Sequence, residues 1–463
     1  MDPNSPENLI RKIVNACADC DDCRFLMDQS CLFLPELFRL YDREKETGRE
    51  IPSEDLRRLV DLCNFCALCP CRNVRTDIMK AKTAFIERDG LDWRIRALQD
   101  VERLSRVCGA YPRMTNRIFQ NRGMGSLLKK GGGIHPDRSV PRFPDSPFSR
   151  WAEKQDLKRK SRKTIGRKVA FFAGCTGRYL FPEVPRAAVE VLRRNQVAVY
   201  LPEQHCCGMP PMLEGDRDLA LKLAEFNLDQ FSRAVDEGYD IICSCPTCGY
   251  LLKDVLRDGA YHSSAFQESI EDAKPGYMKV PAPFGVGGST DERFVWLKTS
   301  VYGNLLKDDG YFSDLDPLKR IRVAEHTYDL GEYLGMLCRE EVFEKPIHSV
   351  ETRAVYYPPC HLREQEIGTP YPDLLSAVPG LSVESIGGSF YCCGIAGIMG
   401  FKTEFHDASL RMGRPLMEKI NESHPDLILT DCLSCRLQFQ QMTDFEVRHP
   451  VEILSRSYLS EFR

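Results

Sequence analysis

The chain has 463 residues, of which 43% are apolar and 28% charged, with a net charge of −4. That is ordinary composition for a soluble globular protein of two to four domains, without the basic excess of a bulk nucleic-acid binder. No run of 18 apolar residues offers a membrane span, and the start "MDPNSPENLIRKIVNACADC" has polar residues where a signal peptide needs an apolar stretch, so the chain is expected in the cytoplasm. Stable disulfides are disfavoured there, so 21 cysteines point to metal or redox chemistry.

The N-terminal region holds the first cysteine regime. "CADCDDC" supplies Cys17, Cys20 and Cys23, with Cys31 eight residues on; "CNFCALCPC" supplies Cys63, Cys66, Cys69 and Cys71. Two C-x2-C-x2-C triplets, each with one further cysteine, follow the ligand logic of a ferredoxin with two cubane [4Fe-4S] clusters, in which each cluster borrows its fourth thiolate from the other motif. On that pattern Cys71 completes the set of Cys17, Cys20 and Cys23, and Cys31 completes the set of Cys63, Cys66 and Cys69. The fourth positions depart from the usual x3-Cys-Pro spacing, with seven residues between in the first motif and only Pro70 in the second. Structural zinc, which prefers paired knuckles, is the rival reading.

Residues 130–151 are rich in Gly and Pro and read as a linker. The following "LKRKSRKTIGRK", 157–168, is basic, which suits either a solvated segment or attraction to anionic headgroups.

Beyond it the chain repeats itself. Cys175 and Cys360 lie 185 apart; Cys206 and Cys207 precede Cys392 and Cys393 by 186; Cys245 and Cys248 precede Cys432 and Cys435 by 187. Five matched cysteines at a near-constant offset mean a duplicated module. "KVAFFAGC" and "RAVYYPPC" read as strands ending at a cysteine, as do "YDIICSCPTC" and "DLILTDCLSC", with helix-like segments such as "EVPRAAVEVLRRN" between. Strands alternating with helices predict α/β units with largely parallel sheets, and all five cysteines of a module should then meet at the carboxyl rim. A disulfide within each Cys-Cys pair would be strained, so adjacent thiols serve another purpose, with Gly208 and Gly394 allowing close backbone approach. "PAPFGVGGST", 281–290, is a connection without the spacing of a phosphate loop.

The modules resemble the cysteine-rich CCG domains of the B and D subunits of heterodisulfide reductase, and the whole layout resembles the iron–sulfur C subunit of anaerobic glycerol-3-phosphate dehydrogenase. "YYPPCH", "CCGIAGIMGFK", "LILTDCLSC" and "VRHPVEIL" carry the resemblance most clearly. It implies one or two noncubane [4Fe-4S] clusters, one on Cys175, Cys206, Cys207, Cys245 and Cys248, the other on Cys360, Cys392, Cys393, Cys432 and Cys435. The expected division is a helical two-cluster ferredoxin-like domain over 1–107, a linker and basic segment over 108–168, a first CCG module over 169–256, an inter-module segment over 257–352 and a second CCG module over 353–463.

The resemblance also implies a metal-binding subunit of an oxidoreductase of anaerobic metabolism, performing electron transport. It would pass electrons between a partner flavoprotein dehydrogenase and a quinone or another carrier, in a hetero-oligomer to which a membrane subunit could belong. No nucleic acid is expected as a partner, and the flavin should lie on another subunit. Peripheral placement on the inner face of the cytoplasmic membrane is the expected location. The alternative is a catalytic heterodisulfide reductase subunit. No catalytic residue is assigned. Cys108, Cys243 and Cys338 fit no set, and free cysteine is commonly a small buried hydrophobe. His205 and His361 each abut a ligand cysteine, either as hydrogen-bond donors to cluster sulfur or as incidental neighbours.

Overall fold

The computed structural model describes residues 5–20, 23–24, 31–66, 69, 71–160, 166–282, 294–387 and 391–458. Pro70, residues 161–165 of the basic run and 283–290 of the glycine-rich connection lie outside them.

The N-terminal region is helical, and local chemistry explains its first helices. Ser5 caps Pro6–Ala18 by accepting the Asn8 N–H at 3.3 Å, and Pro6 occupies the first turn, where no N–H is needed. Ile10, Ile13, Val14 and Cys17 fall on one buried face at helical spacing. Phe33–Thr47 buries Leu34, Leu37 and Phe38 and ends on Gly48 at φ +65°. Ser53–Asp61 and Arg72–Asp89 complete a core containing Leu56, Leu59, Met79 and Phe85, which runs on into the first α/β module.

Two four-stranded parallel sheets follow, of the same topology. In the first, β1 (Lys168–Phe172), β2 (Ala198–Tyr200), β3 (Asp240–Cys243) and β6 (Thr327–Asp329) lie in the order β2-β1-β3-β6. The second, from β7 (Thr352–Tyr356), β8 (Leu381–Ser385), β9 (Leu427–Leu429) and β10 (Glu446–Arg448), has the order β10-β9-β7-β8. Mapping β1, β2, β3 and β6 onto β7, β8, β9 and β10 reproduces every neighbour, so the sequence repeat is a repeat of fold. Register pairs Val169 with Val199 and Asp240, and Ala354 with Val383 and Leu427. Central strands covered on both faces read as continuous apolar runs, and Val169, Ala170, Phe171 and Phe172 are all inaccessible to solvent. One apolar core spans both sheets, joining Val169, Phe171 and Leu330 to Tyr356, Leu429 and Val451.

The first sheet takes its fourth strand from Thr327–Asp329, well beyond residue 256 and inside the stretch read from sequence as inter-module. Between β3 and β6 lies an excursion carrying the antiparallel hairpin β4 (Tyr277–Pro281) and β5 (Phe294–Lys298). The 130–151 stretch is likewise more than a tether. Ile134 bridges Lys402, the His135 N–H donates to the Phe401 carbonyl at 2.9 Å, and Arg138 is buried against the second module.

Candidate metal centres at the cysteine rims

In each module the five cysteines stand where strands end. Cys175 opens a short helix after β1, Cys206 and Cys207 follow β2, and Cys245 and Cys248 follow β3; Cys360, Cys392 with Cys393, and Cys432 with Cys435 take the matching places after β7, β8 and β9. Gly208 and Gly394 have φ of +100° and +88°. A Cβ at Gly394 would sit 2.1 Å from the Ser409 carbonyl, so glycine is required there by space as well as by conformation.

The thiols crowd at sulfur contact. Cys175 Sγ lies 3.3 Å from Cys206 Sγ, and Cys435 Sγ lies 3.2 Å from Cys393 Sγ. Hydrogen bonds from Cys206 and Cys248 bring the Cys207 thiol down to about 6, against burial. Its counterpart Cys393 is held well below the ordinary thiol range by Cys392 and Cys435. Neighbouring thiols and burial hold Cys175, Cys392 and Cys435 high. The modules also meet, since Cys245 is hydrogen-bonded to Cys432 as well as to Cys248.

The N-terminal cysteines gather as two groups. Cys31, Cys63, Cys66 and Cys69 line a single cavity of about 30 Å³, closed by Phe33, Leu34, Val74 and Ile78. Burial pushes the Cys63 thiol up to about 12, with Cys31 and Cys69 adding to it. Cys17 is pushed to about 11 by burial and by Cys69, Cys71 and Cys20, while Cys23 is hydrogen-bonded to Cys20. Both fourth thiols expected from spacing are therefore near the triplets they were assigned to, and Cys69 lies electrostatically between the two groups.

The donor set suits an iron–sulfur cluster. Packed thiols cannot ionise together in a dry rim unless positive charge compensates them, which cluster iron does. The second module has an independent sign of an anionic group. Arg138, 1% exposed, donates from Nη2 to Gln438 Oε1 at 2.6 Å and lies over the Phe401 ring, yet its Nε and Nη1 have no hydrogen-bond partner among the described residues, and it acts on Cys393 electrostatically. Burial lowers its pKa to about 10, so it remains a cation. In the first module, a Cβ at Gly174 would stand 3.1 Å from Cys248 Sγ, so the backbone closes directly on the thiols. Among the described residues no three His, Cys, Asp or Glu side chains surround one metal-ion position.

One imidazole ties three cysteine loops together. His361 follows Cys360; its Nε2–H donates to the Phe65 carbonyl, between Cys63 and Cys66, at 3.0 Å, and its Nδ1 accepts from Thr247 Oγ1, between Cys245 and Cys248, at 3.0 Å. Burial lowers its pKa, which suits the neutral ring these bonds require. Around it, Glu364 accepts from Arg75 at 2.5 Å and from Tyr250 at 3.3 Å, Arg75 donates to the Cys66 carbonyl at 2.6 Å, and Gln365 donates to the Pro246 carbonyl at 3.1 Å. His449 makes a second bridge between the modules, from Nε2 to the Ser244 carbonyl at 3.2 Å.

The sequence singled out His361 without these partners, which come from other modules. Among the described residues His205 bonds to no sulfur; its Nδ1 pairs with Glu102 at 3.1 Å, and Glu102 also accepts the Cys206 N–H at 3.2 Å. Arg138 and Glu102 escaped sequence reading because neither lies in a cysteine motif. Of the unassigned cysteines, Cys243 is fully buried, Cys108 half-buried and Cys338 exposed, so the buried-hydrophobe expectation holds for the first and fails for the last.

Comparison with known proteins follows the same division. Residues 169–253 and 354–440 each match the cysteine-rich domain CCG. Over 384 residues, 82% of this chain and 81% of the relative, the sequence is 25% identical to the C subunit of anaerobic glycerol-3-phosphate dehydrogenase from Escherichia coli (strain K12). It is 25% identical over 302 residues to the B subunit of fumarate reductase (CoM/CoB) from Methanothermobacter marburgensis, covering 63% of this chain and 47% of that protein. The glycolate oxidase iron-sulfur subunit of Escherichia coli (strain K12) is 23% identical over 299 residues, 64% of this chain and 59% of the relative. The chain thus carries the CCG domain twice and is homologous to the first two of these subunits.

Proposed function

We propose that this chain is an iron–sulfur electron-transfer subunit that receives electrons from a flavoprotein dehydrogenase and delivers them to a quinone or another carrier. The observation that carries the reading is the contiguity of the cysteine groups. Cys17 lies within electrostatic reach of Cys69 and Cys71, Cys69 lines the cavity of the second set, Cys392 of the second module feels Cys66, and Cys245 of the first module touches Cys432. Iron–sulfur clusters supply one-electron carriers when bound.

The residues divide the work. Cys17, Cys20, Cys23 and Cys71, and Cys63, Cys66, Cys69 and Cys31, are proposed to hold two cubane clusters in a ferredoxin-like domain. The ten module cysteines are proposed to hold two noncubane clusters, in line with relatives that are themselves named as iron-sulfur proteins. Phe65, Tyr250 and Leu433 keep water from the rims, while His361, Arg75 and Glu364 fix the loops against one another. The domain boundaries proposed are those of the sequence, with β6 added to the first module.

A hetero-oligomer with a flavoprotein agrees with relatives named as subunits of dehydrogenases and reductases. Among the described residues no helix is long and apolar enough to cross a membrane, and peripheral attachment is proposed.

A second reading, disulfide reduction at paired module sites, is favoured by the Cys245–Cys432 contact, which places the two sets side by side. Stopped-flow oxidation of the dithionite-reduced, anaerobically purified protein separates the two. Rapid reoxidation by a quinone analogue and none by a mixed disulfide is expected; enzymatic turnover of the disulfide alone would overturn the relay. Stoichiometric zinc without acid-labile sulfide would end both.

A further inference from the structure

Among the described residues of the basic run at 157–168, the cationic side chains are already engaged within the protein. Lys158 pairs with Glu153 at 3.2 Å, Lys160 with Glu237, and Arg167 with Glu340, while Lys168 donates to the Glu237 carbonyl. A stronger surface lies elsewhere, on four short helices: Trp93–Gln99, Val101–Cys108, Pro112–Gln120 and Arg122–Gly131.

Fifteen large apolar side chains are exposed among the described residues, and eight of them fall between Trp93 and Leu128. Leu127 is 73% exposed, Tyr111 71% and Val107 69%. Pro112–Gln120 buries no residue at all. Exposed apolar side chains this dense mark an interaction surface. The same stretch is strongly basic. Residues 93–131 contain nine Arg and Lys against two acidic residues, and one of the two, Glu102, is buried with His205 and Tyr179. The chain as a whole is net negative, so positive charge is concentrated in this segment. Asp100 and Asn121 cap their helices, each accepting a backbone N–H at 3.0 Å, so the surface is built before anything meets it.

We infer that residues 93–131 form a monotopic docking surface for a bilayer containing anionic lipid. A nucleic acid would use the arginines and leave Leu127, Leu128, Met114 and Val107 in water. A bilayer interface takes both halves, with Leu, Met, Trp and Tyr entering the headgroup–acyl boundary and Arg and Lys meeting the phosphates. Helices of seven to ten residues cannot span. No proposed cluster ligand takes part, so this surface is independent of the relay.

The test is flotation of the anaerobically purified protein with vesicles of phosphatidylcholine, alone or mixed with phosphatidylglycerol. Binding is expected to the mixed vesicles, to weaken with salt, and to fall about fivefold for each charge removed in Arg117→Gln/Arg122→Gln. Leu127→Ser/Leu128→Ser should lower it about tenfold or more. Lys158→Gln/Lys160→Gln should leave it unchanged. In the unsubstituted protein, brominated lipid should quench tryptophan fluorescence, and Trp93→Phe should abolish that quenching; this readout does not depend on the other variants folding. Iron content unaltered in every variant separates failure here from failure of the relay. Equal binding to neutral vesicles, no binding to either, indifference to the 117/122 and 127/128 variants, or binding only to RNA or an acidic protein would each overturn the inference.

Discussion

The two CCG modules share strand order and all five cysteine positions, yet their rims differ in access and charge. In the first, all five cysteines are buried, and the carboxylate of Glu102 accepts the Cys206 N–H. In the second, Cys360 and Cys392 are only partly buried, Cys392 feels Cys66 of the N-terminal region, and the guanidinium of Arg138 acts on Cys393. Duplication supplied one arrangement of cysteines; residues from outside the repeat, Glu102 and Arg138, made the copies unequal. A negative neighbour disfavours an added electron and a positive one favours it, so the second site is expected to be the more easily reduced.

The harshest way to break the comparison is to delete one site at a time. Cys207→Ala and Cys393→Ala should each remove about four irons of about sixteen, leaving the other module's EPR signal in place. Delivery to the final acceptor should fail in Cys393→Ala while the partner's flavin is still reduced. Loss of both module signals in either variant would mean that the sites form one unit.

Next in size is His361→Ala, which strands the buried Phe65 carbonyl and frees the part-buried Thr247 hydroxyl. An unmet buried carbonyl costs about 1–3 kcal/mol, so denaturant titration should show a loss of that size, and stopped-flow reduction of both modules should slow together. His361→Gln should restore part of each. If only one module slows, the imidazole is not a common junction.

The electrostatic difference itself is sharpened by Arg138→Gln and Glu102→Gln. Potentiometric EPR titration should show the second-module centre falling and the first-module centre rising, each by several tens of mV, about 60 mV being ~1.4 kcal/mol for one electron. A shift of both centres in either variant would deny that the charges are local.

The mildest effect concerns the inter-module bridge. Burial holds the His449 pKa near 3, against 6.5 for the free side chain. The unfolded chain takes up a proton as pH falls through 6.5 while the folded chain does not, so stability present above that pH is lost progressively towards pH 3. One unit below 6.5 the loss should be about 1.4 kcal/mol. His449→Gln should flatten that slope in urea melts; an unchanged slope would assign the acid sensitivity to other groups.

The cysteine groups and duplicated strands were legible from one dimension because both are local. A turn at the end of a strand carries its own C-x2-C or Cys-Cys-Gly, and an apolar run that must be covered on both faces advertises its burial. The offset of 185–187 residues then identified the partners without any structure. Arg138 lay in a stretch that looks like a linker, because glycine and proline describe how a chain bends and not what it crosses. Glu102 is 104 residues from Cys206, and Phe65 is 296 from His361, so no spacing rule connects them. The fourth strand of the first sheet was hidden for the same reason, since three residues at 327–329 carry too short a pattern to be recognised until β3 pairs with them. The sequence by itself determined which thiols group together and that the module occurs twice, through short-range spacing. Tertiary structure alone decided that the copies face different charges, that one imidazole joins three cysteine loops, and that large apolar side chains between Trp93 and Leu128 are left exposed among the described residues, because electrostatics and burial depend on distance in space.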